Sequence, residues 1–250
     1  MINVARKAGH HMDTIKYNKN ATKTVAHRGL SGIETENTNA AFVAAGNRSY
    51  YGIETDIHRT ADGRFVVCHD DDLKRVAGED IAVETSTLAD LQRVVLFDKD
   101  GTKGRADLRV SVLENYIGIC KKYGKHCVLE LKSDFTEEEI AKIIDIIKGF
   151  DYLENVTFIS FGYGNLVKIR KILPAQSVQF LFSRFTDEII ERVIAARIDV
   201  DVYYKVLTKE LIDLLHANGR VVNCWTVDDA EAAERLSAWG VDYITSNILE

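Results

Sequence analysis

Two histidines each follow a short apolar run, in Val25-Ala26-His27-Arg28-Gly29 and Val66-Val67-Cys68-His69-Asp70. Three carboxylates stand between apolar residues, in Ile53-Glu54-Thr55-Asp56-Ile57 and Leu129-Glu130-Leu131-Lys132. Residues two apart on a strand face the same way. Glu54 and Asp56 therefore share a face, and so do Glu130 and Lys132. If Ile53 and Ile57 pack outward against helices, both acids of the first pair point inward. Carboxylates crowded into a low-dielectric interior repel strongly, and a cation between them removes that penalty. Three acids, with water completing the shell, suit a hard ion, Mg2+ or Ca2+. Histidines beside such a centre form an acid–base pair.

Each of these residues also has a plainer reading. Glu130 on its own could simply pair with Lys132, and a lone loop histidine is more often hydrogen-bonded than catalytic. Glu54 and Asp56 together are harder to explain structurally, because neutralising both needs two cations. Trp225, Phe161 and Tyr163 could fill core space. His10, His11, His58, His126 and His216 are read as structural or surface residues. The candidates gain weight jointly, because they fall at the ends of successive strand-like runs.

The elements that must position them alternate along the chain. Short β-branched runs at 24–26, 52–58, 65–68, 126–131, 156–160, 177–182, 198–203, 221–225 and 243–245 predict strands. Apolar residues at three and four spacing predict helices at 39–45, 112–123, 137–148, 166–172, 187–196, 209–218 and 230–238. Thr136 and Thr208 stand where N-caps belong. With 65–68 read as a hairpin partner of the second strand, eight strands remain, separated by helices. Repeated βα units demand a parallel sheet with helical cover. The count of eight, with no Gly-rich dinucleotide fingerprint after the first strand, favours a TIM-type (β/α)8 barrel over an open sheet. In such a barrel the site lies at the C-terminal ends of the strands. Residues 70–110 do not fit a βα unit. They read as an insertion at the site's rim, helical only near 88–95. Residues 1–23 read as a lead-in segment, and 24–250 as one barrel without an internal boundary.

The bulk composition agrees. The chain has 250 residues, 46% hydrophobic and 28% charged, a size and balance usual for one barrel. A net charge of -6 argues against nucleic acid as a partner while leaving room for a small anionic ligand. No run approaches the roughly 20 apolar residues that span a bilayer, so no stable membrane anchor is expected. Residues 1–20 lack the apolar core of a secretory signal. The four cysteines, Cys68, Cys120, Cys127 and Cys224, form no CxxC pair, so a zinc site is not expected. Three of them lie in apolar runs as buried thiols would, which suits a cytoplasmic protein.

In sequence order, His27-Arg28-Gly29, Glu36-Asn37-Thr38, Gly52-Ile53-Glu54-Thr55-Asp56, Thr60-Ala61-Asp62-Gly63 leading to His69-Asp70, Leu129-Glu130-Leu131-Lys132, Asn223-Cys224-Trp225-Thr226-Val227 and Gly240-Val241-Asp242 resemble the glycerophosphodiester phosphodiesterase family. The resemblance covers about residues 24–246 and is most specific from His27 to Asp70. It implies that Glu54, Asp56 and Glu130 bind one divalent cation and that His27 and His69 are the catalytic acid–base pair. It also implies that Arg28 and Lys132 hold the phosphate and that Trp225 lines the pocket. The implied reaction is hydrolysis of a small glycerophosphodiester to sn-glycerol 3-phosphate and an alcohol. Thr35 stands where the family usually has proline, a usual proline is missing from 109–114, and 246–248 depart from the family's terminal pattern. These loop changes bear on substrate preference more than on the reaction. Two rival readings are a phospholipase D-like activity on lysophospholipids and a non-catalytic barrel that binds a phosphorylated ligand. The preferred alcohol, the ion and the oligomeric state are left open by the sequence.

Overall fold

The computed structural model describes residues 13–250. His10, His11 and the first half of the lead-in segment lie outside the described residues. In chain order the elements are β1 (Lys23–Ala26), α1 (Asn39–Gly46), β2 (Gly52–Arg59), β3 (Phe65–Val67), α2 (Lys74–Ala77), α3 (Leu88–Arg93) and β4 (Ser111–Val112). They continue with α4 (Leu113–Tyr123), β5 (His126–Leu131), α5 (Glu137–Gly149), β6 (Val156–Ser160), α6 (Tyr163–Ile172) and β7 (Val178–Phe182). The chain ends with α7 (Asp187–Ala195), β8 (Asp199–Tyr203), α8 (Lys209–Ala217), β9 (Val222–Trp225), α9 (Ala230–Ala238) and β10 (Tyr243–Ser246).

Strands β1, β2 and β5 to β10 pair in parallel, and β1 joins both β2 and β10, so the sheet closes on itself. This is the TIM-type (β/α)8 barrel expected from the count of strands. Alternation sorts the side chains. Ile53, Ile57, Leu129 and Leu131 face outward and join Phe42, Tyr116 and Ile117 in the largest apolar cluster, under the helices. Val200, Val202, Val222 and Cys224 do the same on the far side, against α8 and α9. The barrel interior keeps only a small apolar plug of Val25, Val128, Ile159 and Leu181. The inward positions of β2 and β5 are acidic, Glu54, Asp56 and Glu130, and with Ile159 and Leu181 of the plug they border the site.

The helices start where local chemistry dictates. Thr136 caps α5 with a reciprocal bond from Glu139, and Thr208 caps α8, as read from sequence. The 70–110 stretch carries local structure of its own. β3 pairs antiparallel with the end of β2, β4 pairs with β3, and Leu73, Ala77, Val83, Leu91 and Leu108 form a separate buried cluster beside them. Its helix α3 lies close to the expected stretch. Helix α2 escaped sequence reading because a single turn shows no 3.6-residue period. The described part of the lead-in is tied down: Ile15 pairs with Leu249, and Tyr17 packs on the cluster beneath α8 and α9.

Candidate active site

The candidates meet at one end of the barrel: His27 and Lys132 lie just beyond β1 and β5, and Glu54 and Asp56 stand within β2. β2 supplies Glu54 and Asp56, β5 supplies Glu130 and, one residue further, Lys132. The parallel register sets Asp56 beside Glu130. One carboxylate oxygen from each of Glu54, Asp56 and Glu130 lies within 4.8 Å of the others, and all three residues are buried. Burial, with repulsion from Asp56 and Glu130, raises the Glu54 carboxyl well above its usual range. Burial and Asp56 together push Glu130 up to about 8. Asp56 goes the other way. Against its burial, Arg28, His69 and Lys132 hold it ionised. Acids pressed together at this cost make a suitable cradle for a hard divalent ion.

Cations frame the acids. Lys132 Nζ lies 3.0 Å from Glu130 Oε1 and 3.8 Å from Asp56 Oδ1. The Arg28 backbone N–H donates to Glu54 Oε2 at 2.8 Å, and its Nη1 donates to Glu36 Oε1 at 2.9 Å. Arg28 Nε is 3.5 Å from Asp56 Oδ2, in ion-pair range, and this buried donor makes no hydrogen bond among the described residues. Asn37 spans the layers: its Nδ2 donates to Asp56 Oδ2 and its Oδ1 accepts from Thr55, both at 2.8 Å. Arg28, Gly29 and Asn37 all have positive φ, so the loop between β1 and α1 folds tightly back over Glu54 and Asp56.

The two histidines are held differently. His27 Nδ1 lies 2.7 Å from Asn247 Oδ1, and Asn247 Nδ2 donates to Asp228 Oδ2 at 2.6 Å. An amide oriented that way accepts from Nδ1–H, so His27 Nε2 carries the lone pair, 4.0 Å from Glu54 Oε2. Burial and then Arg28 lower the His27 imidazole to about 4, so it is neutral at neutral pH. His69 Nδ1 donates to a carboxylate instead, Asp70 Oδ1, at 2.7 Å. Arg75 Nε holds the other oxygen of Asp70 at 2.6 Å and reaches Glu36 with its remaining nitrogens. Despite burial, Arg75 and His69 keep Asp70 ionised, at about 2.

These groups surround one cavity of about 150 Å3, lined by His27, Arg28, Glu54, His69 and Glu130 on one side and by Ile159, Phe161, Leu181, Asp201, Trp225 and Thr245 on the other. A charged wall thus faces an apolar one. Trp225 is fixed by edge contact with Phe161, 5.7 Å between centroids, and by Tyr203 at 5.5 Å.

A sequence profile of the glycerophosphoryl diester phosphodiesterase family matches residues 27–249. The chain belongs to this family. It is 27% identical to a glycerophosphodiester phosphodiesterase of Bacillus subtilis, over 90% of this chain and 83% of the relative. It is 29% identical to a glycerophosphodiester phosphodiesterase of Caldanaerobacter subterraneus, over 90% of this chain and 94% of the relative. Among solved structures, an Oleispira antarctica phosphodiesterase in complex with the product sn-glycerol 3-phosphate superposes with a TM-score of 0.81, at 26% identity, covering 91% of this chain and 93% of that one. The resemblance read from His27 to Asp70 is thus a family membership, and the chain is an enzyme of the phosphodiester hydrolase kind.

Within the family fold, Glu54, Asp56, Glu130, His27, His69, Arg28, Lys132 and Trp225 are all brought together. Sequence alone gave no role to Glu36 and Asn37, although both stand in a family motif, nor to Arg75, which with them braces that set, nor to the Asn247–Asp228 pair behind His27. It also left out Asp201 and left Phe161 undecided. The β8 pattern Val200-Asp201-Val202 carried the signal for Asp201, since flanking outward valines turn the aspartate inward. His58, read as structural, is buried beneath the site, with Nε2 3.4 Å from the His69 carbonyl.

Proposed function

We propose that the chain hydrolyses glycerophosphodiesters to sn-glycerol 3-phosphate and an alcohol, using one divalent cation, Mg2+ or Ca2+, and two histidines. The observation that carries this reading is three buried carboxylates within 4.8 Å of one another beside two differently braced imidazoles in a single cavity. Glu54, Asp56 and Glu130 would hold the ion, whose charge when bound offsets the trio and polarises a phosphoryl oxygen. Arg28, through its free Nε, and Lys132 bind the remaining phosphoryl oxygens and offset charge as it builds. Trp225 packs against the substrate's apolar edge.

His27 acts as the base. Its Nε2 lone pair takes the proton from the attacking hydroxyl, whether of water or of the substrate's own glycerol. His69 acts as the acid. The Asp70 carboxylate behind it stabilises the imidazolium, which gives its Nε2 proton to the departing alkoxide. One P–O bond forms and one breaks, and each histidine ends the step in the other's protonation state. We place the reaction in a single barrel unit of residues 24–250, with residues 1–23 as a lead-in. Among the described residues no helix is long and apolar enough to cross a membrane. All four cysteines are buried and free. That state of the thiols supports a cytoplasmic setting.

A substrate panel tests the reading. Glycerophosphocholine, glycerophosphoethanolamine, glycerophosphoglycerol and glycerophosphoinositol are incubated with the full chain, and free alcohol and glycerol phosphate are quantified. Turnover is expected to vanish with chelator and return with Mg2+ or Ca2+. Absence of turnover on every member with either ion would sink the proposal. Choline release from lysophosphatidylcholine in preference to glycerophosphocholine would favour the phospholipase D-like alternative.

A further inference from the structure

Asp201 sits in the cavity's apolar wall with nothing to bind. Its neighbours in register are Leu181 on β7 and Asn223 on β9. The other polar residues at this level satisfy one another: Asn223 Nδ2 donates to Gln179 Oε1 at 3.2 Å, and Thr245 Oγ1 donates to Asn223 Oδ1 at 3.2 Å. Asp201 is left out of that chain. It is 2% exposed, and its Oδ1 has no hydrogen-bond partner among the described residues. Among the described residues no basic side chain forms an ion pair with it. Burial raises its carboxyl well above the usual range, with the Glu130 charge adding to the effect.

A buried polar group without a partner destabilises the fold, because its lost hydration is not replaced. Valine or leucine would fit β8's alternation and avoid that cost. A costly unpaired group in a binding cavity is expected where a ligand supplies the partner. With the phosphoryl group at Arg28 and Lys132, the residues left to meet the rest of the substrate are Ile159, Leu181, Trp225 and Asp201. The deeper part of such a cavity suits the half that every glycerophosphodiester shares. The alcohol half varies in size, so it belongs at the mouth, where Phe161 is 48% exposed.

We propose that Asp201 is a specificity-determining residue whose carboxyl hydrogen-bonds a hydroxyl of the substrate's glycerol half, with Ile159, Leu181 and Trp225 packed on its carbons. This rests on the reading of the site given above. A carboxyl in its acid form donates to one oxygen and accepts from another, which matches a vicinal diol. A site that hydrogen-bonds a hydroxyl also rejects the deoxy analogue strongly, because its own polar group is then left unpaired.

The test compares binding of sn-glycerol 3-phosphate with binding of 1-propyl phosphate, which lacks both hydroxyls. Calorimetry is run on the full chain with Mg2+ present, for the wild type, Asp201→Asn and Asp201→Leu. The wild type is expected to prefer sn-glycerol 3-phosphate by at least about tenfold. Asp201→Asn keeps most of that preference, because the amide still donates and accepts. Asp201→Leu loses it while binding propyl phosphate as well as before, and it melts at or above the wild-type temperature, since an unpaired buried carboxyl is gone. A Leu variant that retains the preference overturns the proposal. So does one that fails to fold or melts several degrees lower, the mark of a structural carboxyl. If the wild type turns over the substrate panel but binds the two phosphates equally, only the role of Asp201 falls. If it binds neither and turns over nothing, the catalytic reading falls with it.

Discussion

His27 and His69 differ in what stands behind them, and the proposed roles of base and acid rest on this difference. A neutral amide behind His27 holds the ring's tautomer without favouring its cation. Burial, with Arg28, lowers the His69 imidazole below its usual range, and the Asp70 carboxylate behind it pulls the other way, towards the cation. An acid–base pair needs one of each. Replacing either ring by alanine is expected to lower kcat by at least about 10²-fold, the usual contribution of a positioned proton-transfer group. Steady-state rates on glycerophosphocholine check this, and near-normal turnover in either variant removes that histidine from the chemistry. The brace around Arg28 belongs to the same scale. Glu36 binds both Arg28 and Arg75, and although burial opposes it, those guanidinium groups hold its carboxyl at about 2. Glu36 holds Arg28 by Nη1 at 2.9 Å, while Arg28 Nε stands 3.5 Å from Asp56 without a hydrogen bond among the described residues, and the proposed binding of the phosphoryl group uses that donor.

Between strand and helix, the loop from β1 to α1 carries His27 and Arg28 and must turn sharply to deliver them. Gly29 makes the turn possible. Its φ is +75°, and a Cβ there would lie 2.7 Å from the Ala41 backbone carbon on α1. Both a left-handed conformation and a close approach thus demand glycine. Gly29→Ala is expected to destabilise the fold by about 1–3 kcal/mol and to lower kcat beyond any loss of folded protein, because the displaced loop moves the base. Thr136→Ala is the matching control. It removes the cap of α5, no residue of which lines the cavity, and is expected to cost about 1 kcal/mol with kcat unchanged. Denaturant unfolding and kcat, measured on both variants, separate the two outcomes. Equal kcat losses in both would show that the Gly29 loop has no special hold on the site.

Across the whole molecule the buried acids give metal-free protein an unusual pH profile. Glu130 titrates near 8 in the folded state against an ordinary value of 4.5, so the fold binds the extra proton between those limits. A raised carboxyl pKa means that stability falls as pH rises from about 4.5 to about 8. Glu36 and Asp70 act with the opposite sign. Their folded values near 2 give stability that is present at higher pH and lost as pH falls below about 4. Melting temperature without metal should therefore peak in mildly acidic solution and decline on both sides. Saturating Mg2+ or Ca2+ should lift the alkaline limb, because an ion that binds only the folded state stabilises it. Glu130→Gln should flatten that limb and lose the metal-induced rise. A wild-type melting temperature indifferent to both pH and metal would remove the ion from the proposed centre.

The legible part of this protein was whatever repeats locally. Alternation in β2 and β5 placed Glu54, Asp56, Glu130 and Lys132 on inward faces, because a strand's period of two holds wherever the strand lies. Eight strand runs separated by helical ones implied the barrel, and the ordered motifs from His27 to Asp70 marked the family. Capping threonines were readable because a cap needs only its own helix. What joins distant segments was not readable. The partner of His27 is Asn247, 220 residues away, and Lys99 reaches the carbonyl of Ser31 across the loop. Arg75 braces Asp70 and Glu36 from a one-turn helix too short to show a period. The valines flanking Asp201 turn it inward on any strand, but only the closed barrel set it in the cavity with no hydrogen-bond partner for its Oδ1 among the described residues. Sequence alone thus determined which residue types face inward at the strand ends, since that depends on neighbours in the chain. Only the closed barrel decided which of them share one cavity, which are braced and which are left free, since those depend on strands brought together by the fold.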